Sequence, residues 1–175
     1  MKMGARQGLL VIVAIITSLY GCSRQEKIKL PPGWVRVERS DLGFELGLPK
    51  KPKEDQMNLR GLTATALTCE EDGVSFIVFY MKSPKPLDTL SKKKDALAGF
   101  TDSIIKGGHK VLNEREISRD NVVGREFLIS TQSPQVMKIM VFANDKGMFT
   151  LTTVCAREKI ASPDIEMFFD SLRLK

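Results

Sequence analysis

From residue 33 onward the apolar positions mostly recur every second residue, the period of β-strands half buried against a core. Gly33-Trp34-Val35-Arg36-Val37 opens the series. In Gly43-Phe44-Glu45-Leu46-Gly47-Leu48-Pro49, residues Phe44, Leu46 and Leu48 alternate with small or charged neighbours, and Pro49 and Pro52 end the run. Strands then arrive in pairs. Segments 62–69 and 74–81 flank the turn Glu70-Glu71-Asp72-Gly73, segments 111–117 and 122–130 flank Arg119-Asp120-Asn121, and segments 136–143 and 148–155 flank Asn144-Asp145-Lys146-Gly147. Ser133-Pro134 links the last two pairs. The pattern predicts a largely antiparallel meander. Within it Val74, Phe76, Val78 and Tyr80 share one face, and Ile77, Phe79 and Met81 the other, so this strand is expected inside a sheet covered on both sides.

Two segments change period. Over residues 88–106, Leu90, Leu97, Phe100 and Ile104 fall on one helical stripe, and Gly107-Gly108 supplies a stop. Lys93 projects near that stripe, which calls for snorkelling or for a later helix start. A second helix follows Ser162, a residue suited to capping. Pro163 fits its first turn, Asp164 and Glu166 suit the positive end of the dipole, and Ile165, Phe168, Phe169 and Leu172 form its apolar face.

The front of the chain has a different character. Lys2 and Arg6 precede an apolar run from Leu9 to Leu19, and Leu19-Tyr20-Gly21-Cys22 closes it. The run is shorter than the about 20 apolar residues that a membrane-spanning helix needs. A basic head, an apolar core, a small residue and then Cys resemble a bacterial lipoprotein signal peptide with its lipobox. Tyr20 departs from that pattern, because a small residue is usual there; an ordinary cleaved signal and a retained anchor are the competing readings. The resemblance implies a signal over residues 1–21, acylation of Cys22, and a membrane held through its lipid. Ser23 after the Cys implies outer-membrane delivery facing the periplasm rather than retention at the inner membrane. Residues 22–32, polar and ending in Pro31-Pro32, read as a tether to a body at 33–175.

Removing residues 1–21 leaves about 154 residues, enough for one domain, and lowers the formal charge from +6 to about +4. That mild excess identifies no partner. The clusters Lys50-Lys51-Pro52-Lys53 and Lys92-Lys93-Lys94 read first as solvated, and a nucleic-acid partner is not expected, since no reading element accompanies them. Cys69 and Cys155 would sit in a compartment where disulfides persist. They form either one bridge or two buried free thiols.

Several segments, in order, are similar to those of the PsbP-like family, which includes uncharacterised and DcrB-type lipoproteins. Trp34 precedes the strand that ends in spaced prolines, Phe76-Ile77-Val78-Phe79-Tyr80 resembles an aromatic strand of the family, Gly124-Arg125-Glu126-Phe127 its "GREF" segment, and Met167-Phe168-Phe169-Asp170-Ser171-Leu172 its closing "FFDSF". The resemblance spans residues 33–175. It implies an α+β fold, a mostly antiparallel sheet sandwiched between helices. It also implies a non-enzymatic accessory module that contacts an envelope protein. A small-ligand lipoprotein with a cleft between sheet and helix is the alternative.

Candidate chemistry is sparse. His109, the single histidine, follows two glycines at a helix end, where a structural or solvated role fits best. No nucleophile elbow, phosphate loop or metal-ligand spacing occurs, so neither enzyme activity nor a cofactor is expected. Glu70-Glu71-Asp72 could offer oxygens to Ca²⁺, though a solvated hairpin tip is the simpler reading. Arg125 and Glu126 sit mid-strand and point to opposite faces, which calls for local charge partners or a polar contact within a cleft.

Overall fold

Two antiparallel runs of strands meet side by side to make a seven-stranded sheet. The computed structural model describes residues 29–59, 62–131 and 133–175; the expected signal, Cys22 and the tether up to residue 28 lie outside the described residues. The elements are β1 (Val35–Arg39), β2 (Phe44–Leu48), β3 (Lys53–Leu59), β4 (Leu62–Glu71), β5 (Val74–Lys82), α1 (Leu90–Lys106), β6 (Lys110–Arg119), β7 (Val122–Ser130), β8 (Gln135–Ala143), β9 (Gly147–Ala156), a 3₁₀ turn (Arg157–Lys159), α2 (Pro163–Asp170) and β10 (Arg173–Leu174). The large sheet runs β3-β4-β5-β9-β8-β7-β6, and β1-β2-β10 form a second, smaller sheet. The meander is therefore interrupted once. β5 pairs with β9, and α1 carries the chain from the first run to the far edge.

Hairpin chemistry sets the register. Asp72 and Gly73 turn between β4 and β5 with φ of 49° and 71°, and Asp120 and Asn121 turn between β6 and β7 with φ of 49° and 64°. Two consecutive positive φ values match the right-handed twist of the strands they join.

The sheet separates two cores. On one face Phe76, Val78, Phe149, Leu151 and Phe142 pack against β2 and α2, whose Phe44, Leu46, Phe168 and Phe169 are also buried. Phe149 stacks between Phe142 and Phe44, at ring-centroid distances of 5.4 and 5.8 Å, and so ties the two sheets together. On the other face α1 lies over β7 and β8, burying Leu97 and Ile104 against Phe127, Ile129, Ile139 and Val141. The α+β class and the helices on both sides agree with expectation. The small sheet beside α2 is an addition to it.

Several local expectations need correction. The stripe on α1 buries Leu97, Thr101 and Ile104, but Leu90 is 55% exposed, because a cleft separates the first turn from β6 and β7. Thr89 caps the helix, its hydroxyl accepting from the Lys92 N–H at 3.3 Å. Lys93 is reconciled with its position by Asp145, 2.6 Å from its Nζ, on the β8–β9 turn. Ser162 occupies the cap position of α2, yet its hydroxyl makes no capping bond and is buried without a partner among the described residues. Cover over β5 is one-sided as well. Val74, Phe76, Val78 and Tyr80 are buried, whereas Ile77, Phe79 and Met81 are only half-buried.

Candidate functional site

A cleft of about 380 Å³ opens between α1 and the β6–β7 hairpin. From the helix, Leu90, Lys94 and Leu97 line one wall, at the i, i+4, i+7 spacing that aligns them along one face. The opposite wall follows from the β6–β7 register. Glu116 pairs with Arg125 and Ser118 with Val123, so these four side chains share the α1 face of the sheet. Backbone at Ile117 and Gly124 completes the lining.

The "GREF" segment builds this wall residue by residue. A Cβ at Gly124 would lie 2.5 Å from the Val141 carbonyl oxygen and 2.6 Å from the Phe142 ring, so only glycine lets β7 close on β8 here. Arg125 donates to Glu114 at 2.8 Å and to the Thr101 hydroxyl at 3.0 Å, and that hydroxyl donates to the Leu97 carbonyl at 3.2 Å. Glu126, on the other face, accepts from Arg115 at 2.8 Å, which holds the Arg115 guanidinium above its ordinary pKa. Phe127 is fully buried under α1. Both mid-strand charges thus have local partners. The structural reading of the pair accounts for them, and Arg125 at the same time stiffens the cleft. Lys94 and Glu116 differ, being exposed and making no ion pair with each other or with another described residue. In the sequence Lys94 reads only as part of the solvated cluster Lys92-Lys93-Lys94, and nothing singles out Glu116. Only the cross-strand register, and the helix face opposite it, brings them to one place.

A second feature is the stretch of the large sheet that α1 leaves uncovered. Ile77, Phe79 and Val154, on β5 and β9, are partly buried and enter neither core, beside the small residues Ala66, Thr68 and Thr152. A shallow groove of about 350 Å³, lined by Thr68, Cys69, Glu70, Ser75 and Ile77, continues from it.

The remaining candidates lie apart from the cleft. Cys69 and Cys155 are free thiols, on β4 and β9. With β5 between them their backbones are two strand spacings apart, roughly 10 Å, and a disulfide tolerates no more than about 7 Å. The bridge reading is therefore overturned. Burial pushes both thiols above the usual range. His109 is exposed beside Gly107. At the acidic turn Glu71 pairs with Lys50 at 2.9 Å and the Asp72 carbonyl accepts from Lys159, so lysines occupy the space around those oxygens. Glu71 also raises the Lys50 ammonium above its ordinary pKa. Lys92 pairs with Asp88 at 2.7 Å. Among the described residues no group of three or more His, Cys, Asp or Glu side chains is placed to hold a metal, and no helix is long and apolar enough to cross a membrane.

No protein-family model matches the chain, and no curated protein matches it. Solved structures do. The solution structure of cyanobacterial PsbP (CyanoP) from Synechocystis sp. PCC 6803 matches with a TM-score of 0.57 at 12% identity, over 83% of this chain and 95% of that one. A protein of unknown function, PA94 from Pseudomonas aeruginosa, matches with a TM-score of 0.44 at 11% identity, over 73% and 85% of the two chains. The first match establishes a PsbP-like fold.

Proposed function

We propose that this chain is a lipid-anchored accessory protein of the bacterial envelope, which binds another protein and catalyses no reaction. The observation that carries the reading is the uncovered stretch of β5 and β9. Inner strands are where a sheet ordinarily buries its apolar side chains, yet Ile77, Phe79 and Val154 are only partly buried and join neither core among the described residues. Apolar surface left open in this way suits a partner better than it suits folding. The leader over residues 1–21, followed by Cys22, supports an anchor on the outer membrane facing the periplasm, with several acyl chains holding where one would be marginal. His109, the single histidine, is exposed just past the end of α1, a place that suits a solvated role.

The test is a crosslinking pull-down from intact envelopes with the wild type, Cys22→Ala and Phe79→Glu, each checked for normal melting. Wild type should capture a partner that both variants lose. Equal capture by Phe79→Glu would refute the role of this face, and equal capture by Cys22→Ala would refute the anchored geometry.

A second reading, binding of a small molecule, is favoured by the cleft beside α1. Its volume of about 380 Å³ falls within the size range of ligand pockets, and it joins apolar walls to a few polar groups.

A further inference from the structure

We infer that the cleft between α1 and the β6–β7 hairpin binds a zwitterion with an apolar side group, an α-amino acid or a dipeptide with free termini. The inference rests on the second reading above, in which the cleft is a ligand site.

The charges around the cleft carry it. Nearly every neighbour is paired: Arg125 with Glu114, Arg115 with Glu126, Lys92 with Asp88, and Lys93 with Asp145. Lys94 on the helix wall and Glu116 on the β6 wall are left over, opposite in sign and facing the same space without bridging it. A ligand bearing one carboxylate and one ammonium complements both at once, the carboxylate toward Lys94 and the ammonium toward Glu116. A simple anion would set its charge against Glu116, and a simple amine would set its charge against Lys94. Each would forgo one charge-assisted hydrogen bond and meet a like charge instead.

Apolar groups set the rest of the specificity. Leu90 is 55% exposed at the mouth, and Leu97 and the half-buried Val123 lie deeper. Leu90 and Leu97 are seven residues apart, about 10 Å along the helix axis, with Lys94 between them. That span suits one or two side groups flanking a single set of charged termini. The site is also stiff. Arg125, which also lines the cleft, is anchored through Nη1 by Glu114 and Thr101.

The experiment titrates the full chain with leucine, leucyl-leucine, 4-methylpentanoate, 3-methylbutylamine and decanoate, followed by calorimetry and backbone amide NMR. Leucine or leucyl-leucine should move the amides of Lys94, Glu116 to Ser118 and Val123. Either Lys94→Gln or Glu116→Gln should weaken that binding roughly tenfold or more. Both residues are exposed, so neither substitution should disturb folding. If 4-methylpentanoate, 3-methylbutylamine or decanoate binds the cleft as tightly as leucine, or if the two variants bind leucine unchanged, the zwitterion class is overturned while the cleft remains a ligand site. If no probe moves these amides, both the ligand class and the ligand-site reading fall.

Discussion

Replacing Ser171 with alanine should destabilise the fold by about 2–3 kcal/mol, more than most single deletions of a hydroxyl. The reason lies at the junction of α2 with the small sheet. β10 pairs with β2 only through Arg173 opposite Glu45 and Leu174 opposite Phe44. Continued by two residues, that register would bring residue 171 opposite Gly47. There, however, the chain is already at the end of α2, with φ of −72° and ψ of −11°. The backbone of Ser171 therefore cannot serve as a strand partner, and its side chain does so instead. The Gly47 N–H donates to Ser171 Oγ at 2.8 Å, and the Oγ hydrogen goes to the Phe168 carbonyl at 2.8 Å. Ser171 and Gly47 are both buried. Alanine removes one acceptor and one donor without steric conflict, leaving two backbone groups unpaired, each costing about 1–3 kcal/mol at full desolvation. Spread over an unfolding entropy of about 2.1 cal/mol/K per residue, the loss lowers Tm by roughly 7–10 °C. Urea and thermal denaturation of the full chain measure it, with Asp170→Ala as a neighbouring exposed control that should change stability by less than about 1 kcal/mol. A Ser171→Ala loss under about 0.5 kcal/mol would show that Gly47 finds another partner, and the reasoning would fail.

Gly124→Ala should cost about 1–3 kcal/mol or more in the same denaturation assay, because its methyl group would press on the Val141 carbonyl and the Phe142 ring; an unchanged midpoint would mean that β7 can shift away from β8. Stability should also fall on the alkaline side. Burial raises the Cys69 and Cys155 thiols, so the folded chain keeps protons that the unfolded chain loses near about pH 8.5. Their contribution is intact below that pH and declines as pH rises above it. Cys155→Ala should therefore show the shallower decline between about pH 8 and 10, with equal slopes counting against the argument.

Strands were legible in the chain wherever one face is buried, since burial writes the alternation. β3 shows the limit. Lys53, Glu54, Gln56, Met57 and Asn58 are exposed, so its pairing with β4 is a backbone matter that leaves no apolar period to read. The adjacency of β5 and β9 is equally silent, because the two strands are joined through α1 and two intervening hairpins. Lys93 looked awkward on its helix for a related reason: its partner, Asp145, belongs to a turn distant in sequence. Counting cysteines allowed a bridge that the intervening β5 forbids. The cleft was the least legible feature. Arg125 and Glu126, mid-strand charges in the sequence, are paired, while Lys94 and Glu116, ordinary surface residues in the sequence, owe their relation to the β6–β7 register and the α1 face opposite it.

The same register limits how the sheet can meet another protein. Both edges are blunted against strand addition. β3 carries Lys53 paired with Asp55, and Glu54 paired with Arg39, along its first half. β6 carries Glu114, Arg115 and Glu116 in succession and has an irregular register between Val111 and Asn113. An incoming strand would have to displace or desolvate those charges before gaining any ladder hydrogen bonds. The uncovered face of β5 and β9 presents no comparable barrier. Ala66, Thr68 and Thr152 are small there, and Phe79 and Ile77 stand above them. Association across that face gains apolar burial at about 25 cal/mol per Å² without breaking an ion pair. Among the described residues the sheet is closed along its edges and left open over β5 and β9 on the face that α1 covers only in part, so a partner should be sensitive to Phe79 and indifferent to the charges on β3 and β6.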